Sequence, residues 1–266
     1  MKTLKIEIIN SHKIDKILLI FFLIPYIFFA QDTIYFDSAN PFSFKDIITD
    51  LDNQEHQNVY GILRMPDNVN LYEKYPLIIA VAGSNGWANH HYQYLQMYRE
   101  NGIATFELCS FKSRGIESTV GTQTEVTTAM MILDSYRAAK VLQKHANIKA
   151  NKIGITGWSL GGGVSLFSAW EPLKRAINNN FSFAAHLPIY PPCIVIPKVV
   201  DFGDSPIHIL IGDLDNWTPA EACLELVDKL KNQNNIDLTI YPNAHHSFDR
   251  DGPLLVKENG YILEDC

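Results

Sequence analysis

Residues 152–163 read KIGITGWSLGGG, an apolar run followed by Gly157, Trp158, Ser159, Leu160, Gly161 and two more glycines. The run 152–156 has the character of a buried strand, and the glycines after it let the backbone turn where a Cβ would clash. A G-x-S-x-G segment placed between strand and helix lifts its serine hydroxyl above the carboxyl end of a sheet. The stretch therefore predicts a nucleophile elbow at Ser159. A phosphate-cradling loop would need a lysine after the last glycine, and none follows here.

Further apolar runs flank it on both sides: 77–82 (LIIAVA), 103–108 (IATFEL), 207–211 (IHILI) and 237–241 (DLTIY). They read as strands, the first apolar without alternation and so buried on both faces. Between them lies room for crossover helices. Over 123–145, Val126, Ala129, Leu133, Tyr136, Ala139 and Leu142 recur at helical spacing and make one apolar face. A second helix is expected from about 219, with Thr218 as N-cap, Pro219 in the first turn and Glu221 completing a capping box. Strand–helix alternation predicts an α/β fold: a mostly parallel sheet with helices on both faces, in one domain over 31–266.

A serine hydroxyl attacks only when a base takes its proton and an acid holds the base. After an elbow of this kind the partners follow in the order Asp or Glu, then His. Asp213 and Asp215 follow the 207–211 run, and His245 and His246 follow the 237–241 run. Spacing alone does not choose within either pair. All candidates lie at carboxyl ends of strands, where open α/β sheets bind ligands. The oxyanion would be held by the N–H of Leu160 and by a second N–H from the loop after 77–82, that of Ser84 or Asn85. A histidine base with an ordinary pKa near 6.5 predicts activity rising with pH through about 6 to 8. His90, His91 and His208 have no partner at metal-motif spacing and read as exposed loop or satisfied strand residues, so no metal is expected there.

The whole chain has 266 residues, 22 Lys plus Arg against 29 Asp plus Glu, and a net charge of -7. It has no basic field for a phosphate backbone, which argues against nucleic acid as a partner. Residues 17–30 (ILLIFFLIPYIFFA) are apolar and follow Lys2, Lys5, Lys13 and Lys16, the pattern of a secretory signal. At about 1.5 Å per residue such a run reaches about 21 Å, short of a hydrocarbon core of about 30 Å. Residues 1–30 are thus expected to be a signal peptide and the rest periplasmic or secreted. The alternative is an uncleaved membrane anchor at 17–30.

In order along the chain, SFKSRG (110–115), GWSLGG (157–162), YPPC (190–193), GDLDNWTP (212–219) and YPNAHHSFD (241–249) resemble the dienelactone hydrolase-like branch of the α/β-hydrolases, in its exported bacterial form with a serine nucleophile. The resemblance implies hydrolysis of an ester, lactone or related acyl bond through an acyl-serine intermediate, on a small-molecule substrate and without a cofactor. It implies Asp215 as the acid and His246 as the base. Arg114 falls in a family segment, as an anchor either for substrate or for a loop. Cys193 and Cys223 occupy family positions, and export would permit a disulfide between them, leaving Cys109 and Cys266 unpaired.

The chain departs from the family pattern as well. Ser159 replaces the cysteine of the enzymes that named the family, Ala82 stands where many relatives have His, and Asn243 where Gly is common. From Asp249 on, the sequence DRDGPLLVKENGYILEDC lacks the periodicity of the final helix of relatives. The expected fold is therefore an α/β-hydrolase without that helix, with a sheet face open to another chain. Acyl transfer from the same acyl-enzyme, or a non-catalytic binding role on this fold, are the competing functions.

Overall fold

The computed structural model describes residues 31–70, 72–231 and 235–256. The expected signal or anchor segment and the tail after Val256, with Cys266, lie outside them.

Among the described residues, eight strands form one sheet: β1 (Gln31–Ala39), β2 (His56–Arg64), β3 (Tyr75–Val81), β4 (Ala104–Leu108), β5 (Ile148–Trp158), β6 (His186–Ile189), β7 (Ile207–Gly212) and β8 (Ile236–Tyr241). Their spatial order is β1-β2-β4-β3-β5-β6-β7-β8. The β1–β2 and β2–β4 pairs are antiparallel, and every pair from β4 through β8 is parallel. The apolar runs at 77–82, 103–108, 152–156, 207–211 and 237–241 are the five strands expected. Ile79, Ala80 and Val81 are all fully buried, and because successive strand residues face opposite ways, both faces of β3 are covered.

Three strands were not anticipated. β1 and β2 form the antiparallel edge, where what reads as a polar entry segment alternates: Val59 and Leu63 are buried while His56 and Asn58 are exposed. β6 is four residues long and contains Pro188, which cannot donate to a ladder.

Six α-helices of the described residues cover the sheet: α1 (Phe44–Asp50), α2 (Asn89–Glu100), α3 (Thr128–Leu142), α4 (Leu160–Phe167), α5 (Glu171–Asn178) and α6 (Ala220–Lys229). The helical face expected from 126 to 142 is buried throughout, and α3 is capped by Thr127, whose hydroxyl accepts from the Met130 N–H at 3.3 Å. The expected start of α6 needs correction. Pro219 is its N-cap and no side chain caps it, because the Thr218 hydroxyl is engaged elsewhere. No helix forms over 249–256. Cys193 and Cys223 are joined by a disulfide that ties the loop after β6 to α6, while Cys109 is a free, buried thiol.

Chain order runs from β3 outward to β4 and then back across to β5, so the sheet has its topological switch point at β3 and β5. A crevice opens at the carboxyl ends of strands at such a point. The loop after β3 and the elbow after β5 both lie there.

Candidate active site

Ser159 sits between β5 and α4 with φ 55° and ψ -116°, a conformation costly for any residue but glycine. The neighbours enforce it. A Cβ on Gly157 would collide with the Gly161 carbonyl, and one on Gly161 with the carbonyls of Val81 and Ala82. Strand, turn and helix therefore approach more closely than a side chain allows, and the serine is driven up to the sheet edge.

Asp215 lies on the loop after β7 and is buried, whereas Asp213 is exposed. Its Oδ1 accepts the N–H groups of Trp217 and Thr218, both at 2.9 Å, and its Oδ2 accepts the Thr218 hydroxyl at 2.9 Å. The same Oδ2 is 2.7 Å from His246 Nδ1, and His246 Nε2 is 3.0 Å from Ser159 Oγ. An ionised carboxylate only accepts, so Nδ1 carries the imidazole proton and Nε2 presents its lone pair to the serine. The His246 ring is stacked on Trp217 and met edge-on by Tyr190. Within each ambiguous pair, the geometry connects Asp215 and His246 to Ser159; His245 only lines the cavity.

The loop after β3 closes as a turn, with the Gly86 N–H donating to the Gly83 carbonyl at 2.9 Å. That bond leaves the N–H groups of Ser84 and Asn85, at the two central positions, outside the turn's own hydrogen bonding. A Cβ on Gly83 would stand 3.3 Å from Ser159 Cβ, so the turn lies directly against the nucleophile. Leu160 begins α4, and first-turn N–H groups of a helix have no partner within it. Leu160, Ser84 and Asn85 thus all border the serine. Ser84 and Asn85 line, with Ser159 and His246, a cavity of about 420 Å³.

Two histidines were misjudged. His90 and His91 are not exposed loop residues: they begin α2, are buried, and line the same cavity. Burial lowers the His91 pKa to about 3, with His90 adding repulsion, and His91 Nδ1 accepts the Ala88 N–H. Burial also lowers the pKa of His90, against the pull of Asp249. Their spacing in sequence carries no sign of this, because nothing local tells a helix start at a pocket from an exposed loop. His208 is a strand residue bonded to Thr239, as expected.

Arg114 anchors a loop. Its guanidinium takes both oxygens of fully buried Asp134, at 2.7 and 3.2 Å, and also bonds Asn40, Ser110 and Ala39. It does not border the cavity. Asp249, to which the sequence assigns no role, joins the loops of base and nucleophile: it accepts from Trp158 Nε1 and from the Tyr190 hydroxyl, each at 2.9 Å. Asn243 takes φ 59°, a left-handed conformation that Asn tolerates better than most residues, which is how it replaces a glycine.

Several known proteins are similar to this chain in sequence or in fold. The chain is 28% identical over 125 residues to the "Probable 2-oxo-3-(5-oxofuran-2-ylidene)propanoate lactonase" of a Bradyrhizobium species, an alignment covering 44% of this chain and 48%, about half, of that protein. Est1E of Butyrivibrio proteoclasticus superposes with a TM-score of 0.56 at 19% identity, over 73% of this chain and 88% of the other. The thermophilic esterase Est2 of Thermogutta terrifontis, with propionate bound, gives 0.58 at 16% identity, over 76% and 83%. At such identities the two structures speak for the fold alone. Residues 96–261, more than half the sequence and including the elbow, the acid loop and the base loop, match the dienelactone hydrolase family, and to that family the chain belongs.

Proposed function

We propose that this chain is a serine hydrolase of small carboxylic esters or lactones that works through an acyl-enzyme. The observation that carries the reading is the unbroken hydrogen-bond chain from Ser159 Oγ through His246 to Asp215, at 3.0 and 2.7 Å, facing the 420 Å³ cavity. Family membership supports the same chemistry.

In this reading His246 Nε2 takes the Ser159 proton as Oγ bonds to the acyl carbon. The resulting oxyanion is held by the Leu160 N–H and by an N–H of the Ser84–Asn85 turn. The carbon–oxygen bond to the leaving group then breaks, and His246 returns its proton to the departing alkoxide. Water attacks the acyl-serine in a second cycle, releasing the acid and restoring Ser159. With a lactone the released alcohol stays tethered to the acyl group. Asp215 holds the imidazole in its tautomer and stabilises its charged form.

The named relative makes a lactone a sensible cyclic substrate to try beside open-chain esters. The Cys193–Cys223 bond fits an oxidising compartment, which supports export through residues 1–30. The test is steady-state hydrolysis of p-nitrophenyl acetate and a five-membered lactone by the full chain and by Ser159→Ala. The reading predicts turnover of at least one substrate and a loss of about 10⁴-fold or more in the variant. A folded wild type inert to both, or a variant with undiminished rate, overturns it.

A further inference from the structure

Among the described residues, five that are not glycine have φ in the left-handed region: Gln123, Ser159, Tyr190, Asn243 and Ser247. Four belong to the site itself or its loops: the nucleophile, a cavity wall, and two residues of the turn carrying His246. The fifth, Gln123 at φ 58°, lies in the irregular segment before α3. Such a conformation persists only where surrounding contacts over-determine it, and such residues gather at functional sites.

The contacts of Gln123 lead to the turn beside Ser159. Its Nε2 donates to Ser84 Oγ at 2.9 Å, and its Oε1 lies 3.2 Å from the same hydroxyl. Its own N–H donates to the Thr119 carbonyl at 2.9 Å, which folds the 119–123 segment back on itself. From that segment the Thr119 N–H donates to the Ser84 carbonyl at 2.9 Å, and the Ser118 hydroxyl to the same carbonyl at 3.0 Å. A Cβ on Gly86 would stand 2.9 Å from the Glu117 carbonyl, so turn and segment are in close contact. Ser84 and Thr119 are both buried.

Peptide geometry turns these bonds into aim. In a trans peptide the N–H points opposite to the carbonyl before it. With the Ser84 carbonyl held by two donors of the 118–119 segment, the Asn85 N–H is fixed pointing away from that segment. With the Gly83 carbonyl held by Gly86, the Ser84 N–H is fixed as well. Neither donor needs to reorient when negative charge develops, which is what gives a preorganised oxyanion site its effect.

We propose that Gln123 is a positioning residue: with Ser118 and Thr119 it clamps the Ser84–Asn85 turn so that its N–H groups stay aimed at the oxyanion. The inference rests on the serine-hydrolase reading above. It acts on the transition state, so its loss lowers kcat and leaves KM nearly unchanged.

The experiment uses the full chain with Gln123→Gly and Gln123→Glu. Glycine removes the side-chain bonds to Ser84, and the one Gln123 accepts from the Thr119 hydroxyl at 3.4 Å, while relieving the left-handed strain, so the clamp loosens without a strained conformation to maintain. Glutamate keeps an acceptor for the Ser84 hydroxyl and loses only the donor. With p-nitrophenyl acetate, Q123G should lose about tenfold in kcat, less than the 10²–10³-fold of a deleted oxyanion donor, with KM within about twofold and a melting temperature close to wild type. Q123E should recover a substantial part of that kcat. Wild-type kcat in Q123G, a KM rise at unchanged kcat, or a kcat loss that only tracks lost folded protein overturns the inference while the hydrolase reading stands. An inert wild type fails the hydrolase reading first and removes the inference with it.

Discussion

Thr218 holds the site with a single hydroxyl: it lies 2.9 Å from Asp215 Oδ2, 3.2 Å from the Tyr190 carbonyl and 3.2 Å from His246 Nδ1. Thr218→Val keeps the shape and the backbone N–H bond to Asp215 but removes that hydroxyl. We expect kcat to fall about tenfold with KM little changed, and stability by about 1 kcal/mol, read from steady-state kinetics and urea midpoints. Asp249 is a stronger case, since its removal leaves the Trp158 N–H and the Tyr190 hydroxyl without their acceptor in a buried wall. Asp249→Ala should cost about 2–4 kcal/mol in chemical denaturation, and Asp249→Asn, which keeps one acceptor, less. Ser159 and the pairs Asp213/Asp215 and His245/His246 were legible in sequence because each follows an apolar strand in the order this fold uses, but the choice of Asp215 and His246 came from the family resemblance and not from spacing. Thr218 was misread as a helix cap: the local pattern that favours capping cannot reveal that a carboxylate three residues earlier competes for the same hydroxyl. The pocket lining by His90 and His91 was illegible for a like reason, being settled by where α2 packs rather than by its own sequence.

At the scale of elements, two cross-ties hold the loops around the sheet. The Cys193–Cys223 bond closes a loop with sequence separation 30, and replacing both cysteines by serine should cost about 2–4 kcal/mol, measured as a drop in urea midpoint that reductant reproduces in the wild type. Arg114 joins the loop after β4 to Asp134 on α3, which also accepts from Ser38 on β1. Arg114→Met would strand a fully buried carboxylate and should destabilise by about 3–5 kcal/mol, a loss that a purely substrate-binding arginine would not produce. β3, β4 and β5 were readable because burial on both faces writes a continuous apolar run, and β7 and β8, though His208 and Asp237 are exposed, by their remaining Ile and Leu residues. β1 and β2 were not, since an edge pair with one wet side alternates and is indistinguishable from a polar segment until its partner is known. β6 was hidden by Pro188 and by its length of four residues.

For the whole molecule, strand–helix alternation was enough to fix the class of fold, because right-handed crossovers leave few other arrangements. Loss of stability in acid follows from its buried histidines. His186 is enclosed with Nδ1 on the Ser165 carbonyl, and burial brings its pKa down to about 4; His91 stands at about 3. Unfolded, both titrate near 6.5, so below that pH the unfolded chain binds more protons than the folded one. Their contribution is complete above about pH 6.5 and is lost as pH falls through 4 and then 3. Urea midpoints should hold from pH 8 to 7 and decline between 6 and 4, with a shallower decline in His186→Gln. Ester hydrolysis by this chain requires Ser159 to be an activated nucleophile, and mass spectrometry of the full chain after treatment with a fluorophosphonate tests that directly. A single adduct on the peptide carrying Ser159, absent in His246→Ala, is the predicted result; a folded wild type with no adduct, or with the adduct on another residue, would contradict it.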